Sequence, residues 1–154
     1  MAERSVTHAT FVIERGYPAA PALVFRALSD KAAKRKWFVG PGDWDVAQYE
    51  IDFRVGGREI NSGGEAGKPL HTFNAIYQDI VENERIIYAY DMHVGATRIS
   101  VSLATIELKP DGSGTRLVFT EQGAFLDGYD DAAGRERGTS DLLDALGKSL
   151  EESE

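Results

Sequence analysis

The chain has 154 residues, which is enough for one domain with a continuous core and short for two. Its formal net charge is −8, from 25 acidic and 17 basic residues, and its densest basic run, Lys31 to Lys36, ends against a Trp-Phe pair. Nucleic acids and anionic membranes need many more cations on one face, so neither is expected as a partner. Because the sequence has no cysteine, disulfides, thiolate metal sites and cysteine nucleophiles are excluded.

The sequence predicts a cytoplasmic protein. Its N-terminus, MAERSVTHATF, has no apolar core of signal-peptide length, and no other apolar run approaches the ~20 residues of a membrane helix. We therefore expect residues 1–154 to form a single soluble domain.

Two short helices are predicted after a first strand. The segment from His8 to Arg15 alternates in polarity and mixes β-branched with aromatic residues, as in a strand with one buried face. The next helix has Pro21 in its first turn, followed by an apolar face formed by Val24, Phe25 and Leu28. Asp30 is placed to cap a second helix over KAAKRKWF, residues 31–38, which must end before the glycines and proline of GPGD.

The middle of the chain is dominated by strand patterns. Short turn sequences divide most of them, and such links favour antiparallel hairpins over crossover connections. The six predicted strands are EIDFRV (50–55), REIN (58–61), TFNAIYQDIV (72–81), RIIYAYDMH (85–93), TRISVSLATIEL (97–108) and TRLVFTEQ (115–122).

A doubled glycine, Gly56-Gly57, lies between the first two of these strands. A phosphate-binding glycine loop is followed directly by a helix, whose N-terminus supplies aligned amide groups. Here a strand pattern follows, so the pair predicts a two-residue hairpin turn with positive φ angles. Arg54 beside the turn is expected to brace it by pairing with Asp52 or another nearby carboxylate.

The last predicted element is an amphipathic helix in RERGTSDLLDALGKSLEE, residues 135–152. Leu142, Leu146 and Leu150 recur every fourth residue, with Leu143 beside them and acidic residues around the stripe. Such a stripe packs against a large apolar surface, which here is the antiparallel sheet.

The order of these elements resembles the START-like or SRPBCC superfamily, and within it the branch named after the activator of heat shock protein 90 ATPase. ERGYPAAPALVFRALSD is similar to the opening strand and helix of that branch, KWF to the aromatic pair closing its second helix, and DFRVGGRE to its Asp-x-Arg-x-Gly-Gly turn. FNAIYQDIVENERIIYAY is similar to its central hairpin, and GTRLVFTEQGAF with the leucine helix to its ending. The likeness extends from about His8 to Leu150.

The resemblance implies an α+β helix-grip fold of the START-like, Bet v-like kind. In that fold a curved antiparallel sheet wraps around a long C-terminal helix, with a cavity between them, while the function differs between members. Two positions depart from the family pattern: Gly138-Thr139 stands where the last helix often opens with Gly-Trp, and Ala75 stands where a glycine is common in the central hairpin. Loss of the tryptophan predicts a wider cavity mouth.

Strand parity indicates candidate cavity residues. Alternate residues from Ile86 to Met92 share one face of their strand, and alternate residues from Leu117 to Glu121 share one face of theirs. Any one aromatic ring is expected to pack the core, whereas several together could line a pocket in which tyrosine hydroxyls orient a mostly apolar ligand. The candidate ligand-binding residues are Trp37, Phe38, Trp44, Phe53, Phe73, Tyr77, Tyr88, Tyr90, Met92, Phe119 and Glu121.

Glu121 has two placements open to it. Because acidic residues are rarely buried, we favour a strand that ends before Glu121, so that the carboxylate meets water. If the strand continues, parity places Glu121 in the cavity, where desolvation would raise its pKa unless a cation such as Arg58 or Arg98 compensates.

No metal or other cofactor is predicted. His8, His71 and His93 lie in unrelated segments without metal-ligand spacing. No serine lies in a nucleophile-elbow context and no local Ser-His-Asp signature is present, although a triad assembled in space would leave none.

Three functions stay open. Binding of a small lipophilic or aromatic molecule is favoured, because an aromatic lining is visible and catalytic signatures are not. The second is an enzyme resembling the superfamily's polyketide cyclases or aromatases, with Glu121, Arg58, Tyr77 and Tyr88 as acid, base and orienting candidates. Stimulation of a chaperone ATPase, which the family name suggests, ranks third because similar eukaryotic proteins carry a further domain for which 154 residues leave no room. Both a monomer and a homodimer are compatible with the sequence.

Overall fold

The computed structural model describes residues 3–38 and 44–152. Seven strands form one sheet in the spatial order β1-β7-β6-β5-β4-β3-β2, and every neighbouring pair is antiparallel. The elements in chain order are β1 (Val6–Tyr17), α1 (Pro21–Ser29), α2 (Lys31–Arg35), β2 (Asp45–Ile51), β3 (Arg58–Gly64), β4 (His71–Val81), β5 (Arg85–Val94), β6 (Thr97–Asp111), β7 (Gly114–Leu126) and α3 (Ala132–Glu152).

The long helix α3 lies against β1 and α1. Leu143, Leu146 and Leu150 are buried and Leu142 is partly buried, so the predicted apolar stripe is confirmed. The Tyr17 hydroxyl, at the end of β1, donates to the carbonyl of Leu143 over 2.7 Å and so links β1 to α3. A curved antiparallel sheet with this helix on one face confirms the helix-grip fold.

The two short helices follow β1 as predicted. Pro21 occupies the first turn of α1, and the Asp30 side chain caps α2 by accepting from the Ala33 amide over 2.9 Å. However, α2 ends at Arg35 rather than Phe38, since the next residues form turns in which Phe38 donates to the Lys34 carbonyl. The predicted break at residues 40–43 lies outside the described residues.

The predicted strand over residues 50–55 is wrong. Strand β2 runs from Asp45 to Ile51, and residues 52–57 form a loop rather than a two-residue hairpin. The Gly56 amide donates to the Tyr77 carbonyl over 2.8 Å, and the Tyr77 amide donates to the Gly57 carbonyl over 3.0 Å. The loop is therefore paired to β4, a tertiary contact that local sequence does not reveal.

The two glycines of this loop have different roles. Gly56 has a φ of 84° and lies in a turn closed by the Gly57 amide, which donates to the Arg54 carbonyl over 2.8 Å. Gly57 has no positive φ, but a Cβ on it would lie 2.0 Å from the carbonyl oxygen of Asp52. The pair thus turns the chain, and the predicted Arg54–Asp52 ion pair is present at 2.7 Å.

Candidate functional site

A cavity of about 800 Å³ lies between the concave face of the sheet and the helices α2 and α3. This volume falls within the range of pockets that enclose small organic ligands. Most of the wall is apolar, and its apolar residues are Leu28, Trp37, Phe38, Trp44, Val46, Phe73, Tyr88, Tyr90, Met92, Ile106, Phe119, Leu142, Leu143 and Ala145.

The structure brings most of the predicted ligand residues together on this wall. Trp37, Phe38, Trp44, Phe73, Tyr88, Tyr90, Met92, Phe119 and Glu121 all line the cavity.

Phe53 and Tyr77 lie elsewhere, with ring centroids 4.9 Å apart. Phe53 belongs to the loop after β2, so strand parity does not apply to it, and its ring packs on Phe25 at 5.6 Å. Tyr77 is fully buried, and its hydroxyl donates to Glu59. Neither residue lines the cavity, although the Tyr77 ring contacts the lining residue Tyr88 at 6.0 Å.

Edge-to-face and tilted ring contacts connect the turn after α2 to β4 and β5 along the cavity. Phe38 packs on Phe73 with centroids 5.1 Å apart, and Phe73 packs on Tyr90 at 4.8 Å. Tyr88 contacts both Phe73 and Tyr90, at 5.9 and 5.7 Å. Such pairs stabilise a fixed arrangement of rings beyond simple area burial. The wall is therefore a continuous aromatic surface.

Glu121 lies inside the protein, so the expectation that it meets water is wrong. Only 1% of the residue is exposed, because β7 continues to Leu126 and pairs on both sides at this position, with Phe11 on β1 and Ala104 on β6. The Tyr90 hydroxyl lies 2.8 Å from Oε1 and 2.7 Å from Oε2 of the carboxylate. A buried carboxylate at the cavity wall is a candidate for ligand recognition or proton transfer.

The cation beside Glu121 is Arg135, in the first turn of α3. Its Nη1 lies 3.3 Å from Glu121 Oε2, and only 10% of the Arg135 side chain is exposed. The predicted cations are wrong: Arg58 is exposed and does not line the cavity, and Arg98 is exposed and lies 3.9 Å from Asp91.

Sequence reasoning missed Arg135 because it comes from the helix, 14 positions away in the chain. The available signal was the position of Arg135 at the start of the helix that packs against the sheet.

Arg135 joins Glu121 to three further polar groups. Nη1 donates to the Tyr90 hydroxyl over 2.9 Å, while Nη2 donates to Ser100 Oγ over 2.7 Å and to Asp130 Oδ2 over 2.9 Å. The cluster thus ties α3 and the loop before it to strands β5, β6 and β7. We call Glu121, Tyr90, Arg135, Ser100 and Asp130 the Glu121 cluster.

Burial sets the protonation behaviour of this cluster. Desolvation raises the pKa of the Glu121 carboxyl, and the hydrogen bond from Tyr90 and the charge of Arg135 lower it without cancelling the rise. Burial also raises the pKa of the Tyr90 and Tyr88 phenols well above 10, so both remain protonated at neutral pH. The cluster can therefore accept hydrogen bonds through Glu121 and exchange a proton there.

A second buried cluster lies at the α2 end of the cavity. Lys34 lines the cavity and its Nζ lies 2.7 Å from Glu59 Oε1, with 6% and 1% of the two side chains exposed. The Tyr77 hydroxyl donates to the same carboxylate, and the Tyr49 hydroxyl lies 3.4 Å from Oε2. Sequence reasoning missed this cluster because Lys34 lies in a basic run typical of a solvated helix and its partner Glu59 is 25 positions away.

The cavity lining also includes Trp44, His71, Gly138 and Thr139. The Trp44 and His71 rings lie 4.4 Å apart. Gly138 and Thr139 are in the second turn of α3 rather than at its start, and no atom lies within 4 Å of a Cβ placed on Gly138. Thr139, where the resemblance predicts a tryptophan, thus lines the cavity with a small side chain.

Comparison with known proteins places the chain in one family. The model of the family described as Activator of Hsp90 ATPase homolog 1-like protein matches residues 18–151. An uncharacterised protein from Rhizobium leguminosarum is 50% identical, with a TM-score of 0.92 over 97% of this chain and 99% of that one. The protein Mll3558 from Rhizobium loti is also 50% identical, with a TM-score of 0.87 over 94% of this chain and 99% of that one.

More distant structures share the fold alone. An AHSA1-like protein from Aeromonas hydrophila is 18% identical, with a TM-score of 0.73 over 94% of each chain. A comparison with curated proteins gave no match.

Among the helices of residues 3–38 and 44–152, none is long and apolar enough to cross a membrane. In the same residues, no three histidine, aspartate or glutamate side chains converge as metal ligands would.

Proposed function

The chain belongs to the Activator of Hsp90 ATPase homolog 1-like family, and on that premise we propose that it binds a small lipophilic or aromatic molecule in the cavity between the sheet and α3. The observation that carries the proposal is the cavity itself: about 800 Å³ of space with a continuous aromatic wall.

A space of this size is unusual for a protein interior. Cores pack at the density of organic crystals and leave few voids larger than a water molecule. Here the side chains that could fill the space instead pack on one another, as Phe38 does on Phe73 and Phe73 on Tyr90. The wall offers a ligand the dispersion contacts that an empty cavity forgoes. Burial of an apolar molecule would therefore be favourable.

The distribution of polar groups also supports a binding site. Ligand pockets combine a mainly apolar wall with a few fixed polar groups that orient the ligand. In this cavity those groups are Glu121, held by Tyr90 and Arg135, on one side and Lys34, held by Glu59, on another. Fixed polar groups of this kind reduce the ordering cost of binding.

A ligand panel tests the proposal. The purified protein is heated with each member of a panel of neutral, cationic and anionic aromatic and aliphatic molecules, and its unfolding is followed by circular dichroism. A ligand at a hundred times its dissociation constant stabilises the folded state by about 2.7 kcal/mol. Stabilisation by at least one class, with a matching added mass in native mass spectrometry, supports binding; no stabilisation by any class would count against it.

A second candidate function is catalysis of the polyketide cyclase or aromatase type. The observation that favours it is the buried Glu121 carboxyl, whose pKa is raised and which contacts both Tyr90 and Arg135 at the cavity wall. Arg58 has no place in such a mechanism, because it is exposed away from the cavity. If turnover of a bound ligand is detected, Glu121→Gln should abolish it while the fold persists. An unchanged rate constant would remove Glu121 from the mechanism.

A third function, stimulation of a chaperone ATPase, is supported by the family description alone. It requires a direct complex with the host's chaperone and faster ATP hydrolysis in its presence. A flat ATPase titration would end this candidate.

A further inference from the structure

We infer that the ligand carries a hydrogen-bond donor, such as a phenol or alcohol hydroxyl, that faces Glu121, and that it carries no negative charge. The inference rests on the proposed binding function and specifies the ligand class. It follows from which hydrogen-bonding groups of the Glu121 cluster are already used and which are free.

Arg135 has no terminal donor left for a ligand. A guanidinium carries two N–H groups on each terminal nitrogen. Nη1 donates to the Tyr90 hydroxyl and to Glu121, and Nη2 donates to Ser100 and Asp130. An anionic ligand would have to break one of these charge-assisted bonds to reach either terminal nitrogen. Arg135 therefore holds the cluster together and does not serve as an anion receptor.

Tyr90 is also saturated. Its hydroxyl has one proton, which it donates to the Glu121 carboxylate at 2.7 to 2.8 Å, and its oxygen accepts from Arg135 Nη1 at 2.9 Å. A ligand that met Tyr90 would find neither a free proton nor an unshared approach to the oxygen.

Within the Glu121 cluster, the Glu121 carboxylate can still accept a further hydrogen bond. A carboxylate can accept about four hydrogen bonds. The Glu121 oxygens accept the Tyr90 proton and one Arg135 proton, and the Ser102 hydroxyl is a further hydrogen-bonding neighbour of the carboxyl. One of the four positions is thus left for a ligand, and the residue lines the cavity. Since the remaining capacity is for acceptance only, the ligand group that faces it must be a donor.

The charges around the cavity disfavour anions. Four acidic residues line it, Asp45, Glu121, Asp130 and Asp141, against the two cations Lys34 and Arg135. Both cations are already paired, Lys34 with Glu59 at 2.7 Å and Arg135 with Asp130 at 2.9 Å. The whole chain carries a formal charge of −8, so the field at the mouth repels anions at long range as well.

Three biphenyls of similar size test the inference by isothermal titration calorimetry at neutral pH. 4-Phenylphenol has a donor hydroxyl, 4-methoxybiphenyl is its methyl ether without the donor, and biphenyl-4-carboxylate is the anion. A hydrogen bond to a charged acceptor predicts that the phenol binds about tenfold more tightly than the ether. The carboxylate should bind more weakly than both.

The outcomes separate the inference from the proposed function. Equal affinity for phenol and ether, or tighter binding of the carboxylate, would overturn the inference and leave a cavity that binds aromatic molecules. Failure of all three to bind would overturn both.

Two variants test whether Glu121 causes the tighter binding of the phenol than of the ether. Glu121→Gln keeps the size of the side chain but removes the charged acceptor, so the tenfold preference for the phenol should shrink and the carboxylate should bind more tightly. The matched control is Glu136→Gln, which makes the same exchange at an exposed residue of α3 that does not line the cavity and should leave the ratio of phenol to ether affinity unchanged. The inference is wrong if Glu121→Gln keeps the full ratio, or if Glu136→Gln reduces it equally.

Discussion

Lys34 on α2 and Glu59 on β3 form an ion pair inside the protein, with Nζ 2.7 Å from Oε1 and side chains that are 6% and 1% exposed. The Tyr77 and Tyr49 hydroxyls approach the same carboxylate, so the negative charge has partners on several sides. Lys34 Nζ also lies 4.6 Å from the centroid of the Phe38 ring. The pair connects the short helix to the sheet and holds Phe38 in the cavity wall.

Loss of Lys34 should destabilise the fold strongly. Lys34→Met fills a similar volume but leaves the Glu59 carboxylate buried without its cation, which typically costs about 3–5 kcal/mol. The free energy of unfolding, measured by urea denaturation, reports the loss. Lys31→Met is the matched control on the same helix, because Lys31 is 48% exposed and lies 3.5 Å from the exposed Glu50, a surface pair worth about 0–1 kcal/mol. Equal losses in the two variants would show that the buried pair has no special role.

Glu121→Gln should change how stability depends on pH. Because burial raises the Glu121 pKa above the 4.5 of the unfolded chain, the folded protein keeps its proton where the unfolded chain has released it. The stability contributed by this group is therefore present at acid pH and lost as pH rises through the raised pKa. Glutamine does not titrate, so the variant should gain stability relative to the wild type on going from about pH 4 to about pH 7, by about 1.4 kcal/mol per unit of pKa shift.

Urea denaturation at a series of pH values measures that difference directly. A constant difference between the two proteins across the series would mean that the Glu121 pKa is the same in the folded and unfolded states.

The two glycines after β2 should respond differently to alanine. At Gly56 the φ of 84° disfavours alanine by about 1–2 kcal/mol, although nothing lies within 4 Å of the added Cβ. At Gly57 the added Cβ would lie 2.0 Å from the Asp52 carbonyl oxygen, so the backbone itself must move. Thermal unfolding should rank Gly57→Ala as the more destabilising substitution. The reverse ranking would contradict the loop geometry.

A tryptophan at Thr139 should narrow the cavity mouth. Thr139 lines the cavity on α3, so the larger side chain of Thr139→Trp is expected to weaken binding of 4-phenylphenol or slow its association. Glu136→Trp places the same side chain on the same helix at an exposed residue that does not line the cavity. Stopped-flow fluorescence compares the two association rates, and a drop shared by both variants would argue against a mouth at Thr139.

The sequence predicts the fold well because its determinants are local and periodic. Pro21, the Asp30 cap, the alternation on β5 and β7 and the leucine stripe of α3 all act within a few residues of one another, and each is confirmed. The loop after β2 is mispredicted because its form depends on pairing with Tyr77 on β4.

The candidate site is predicted less completely because its polar groups pair over long separations. Parity places the Tyr90 and Glu121 side chains on the concave face, but Arg135 reaches Glu121 from the helix and Lys34 reaches Glu59 from 25 positions away. A pattern of alternating residues shows which face a side chain occupies and carries no information about which distant residue meets it there. The burial of Glu121 depends on such a partner.

Methyl NMR during a titration with 4-phenylphenol tests the central claim, that a small apolar molecule occupies the cavity between the sheet and α3. Binding there should shift the methyl signals of Met92, Ile106 and Leu142, which line the cavity, in proportion to saturation. The signals of Val12, Val101 and Leu103, which are exposed on the opposite face of the sheet, should stay in place. Shifts confined to the exposed face, or no shifts at a saturating concentration, would contradict the account.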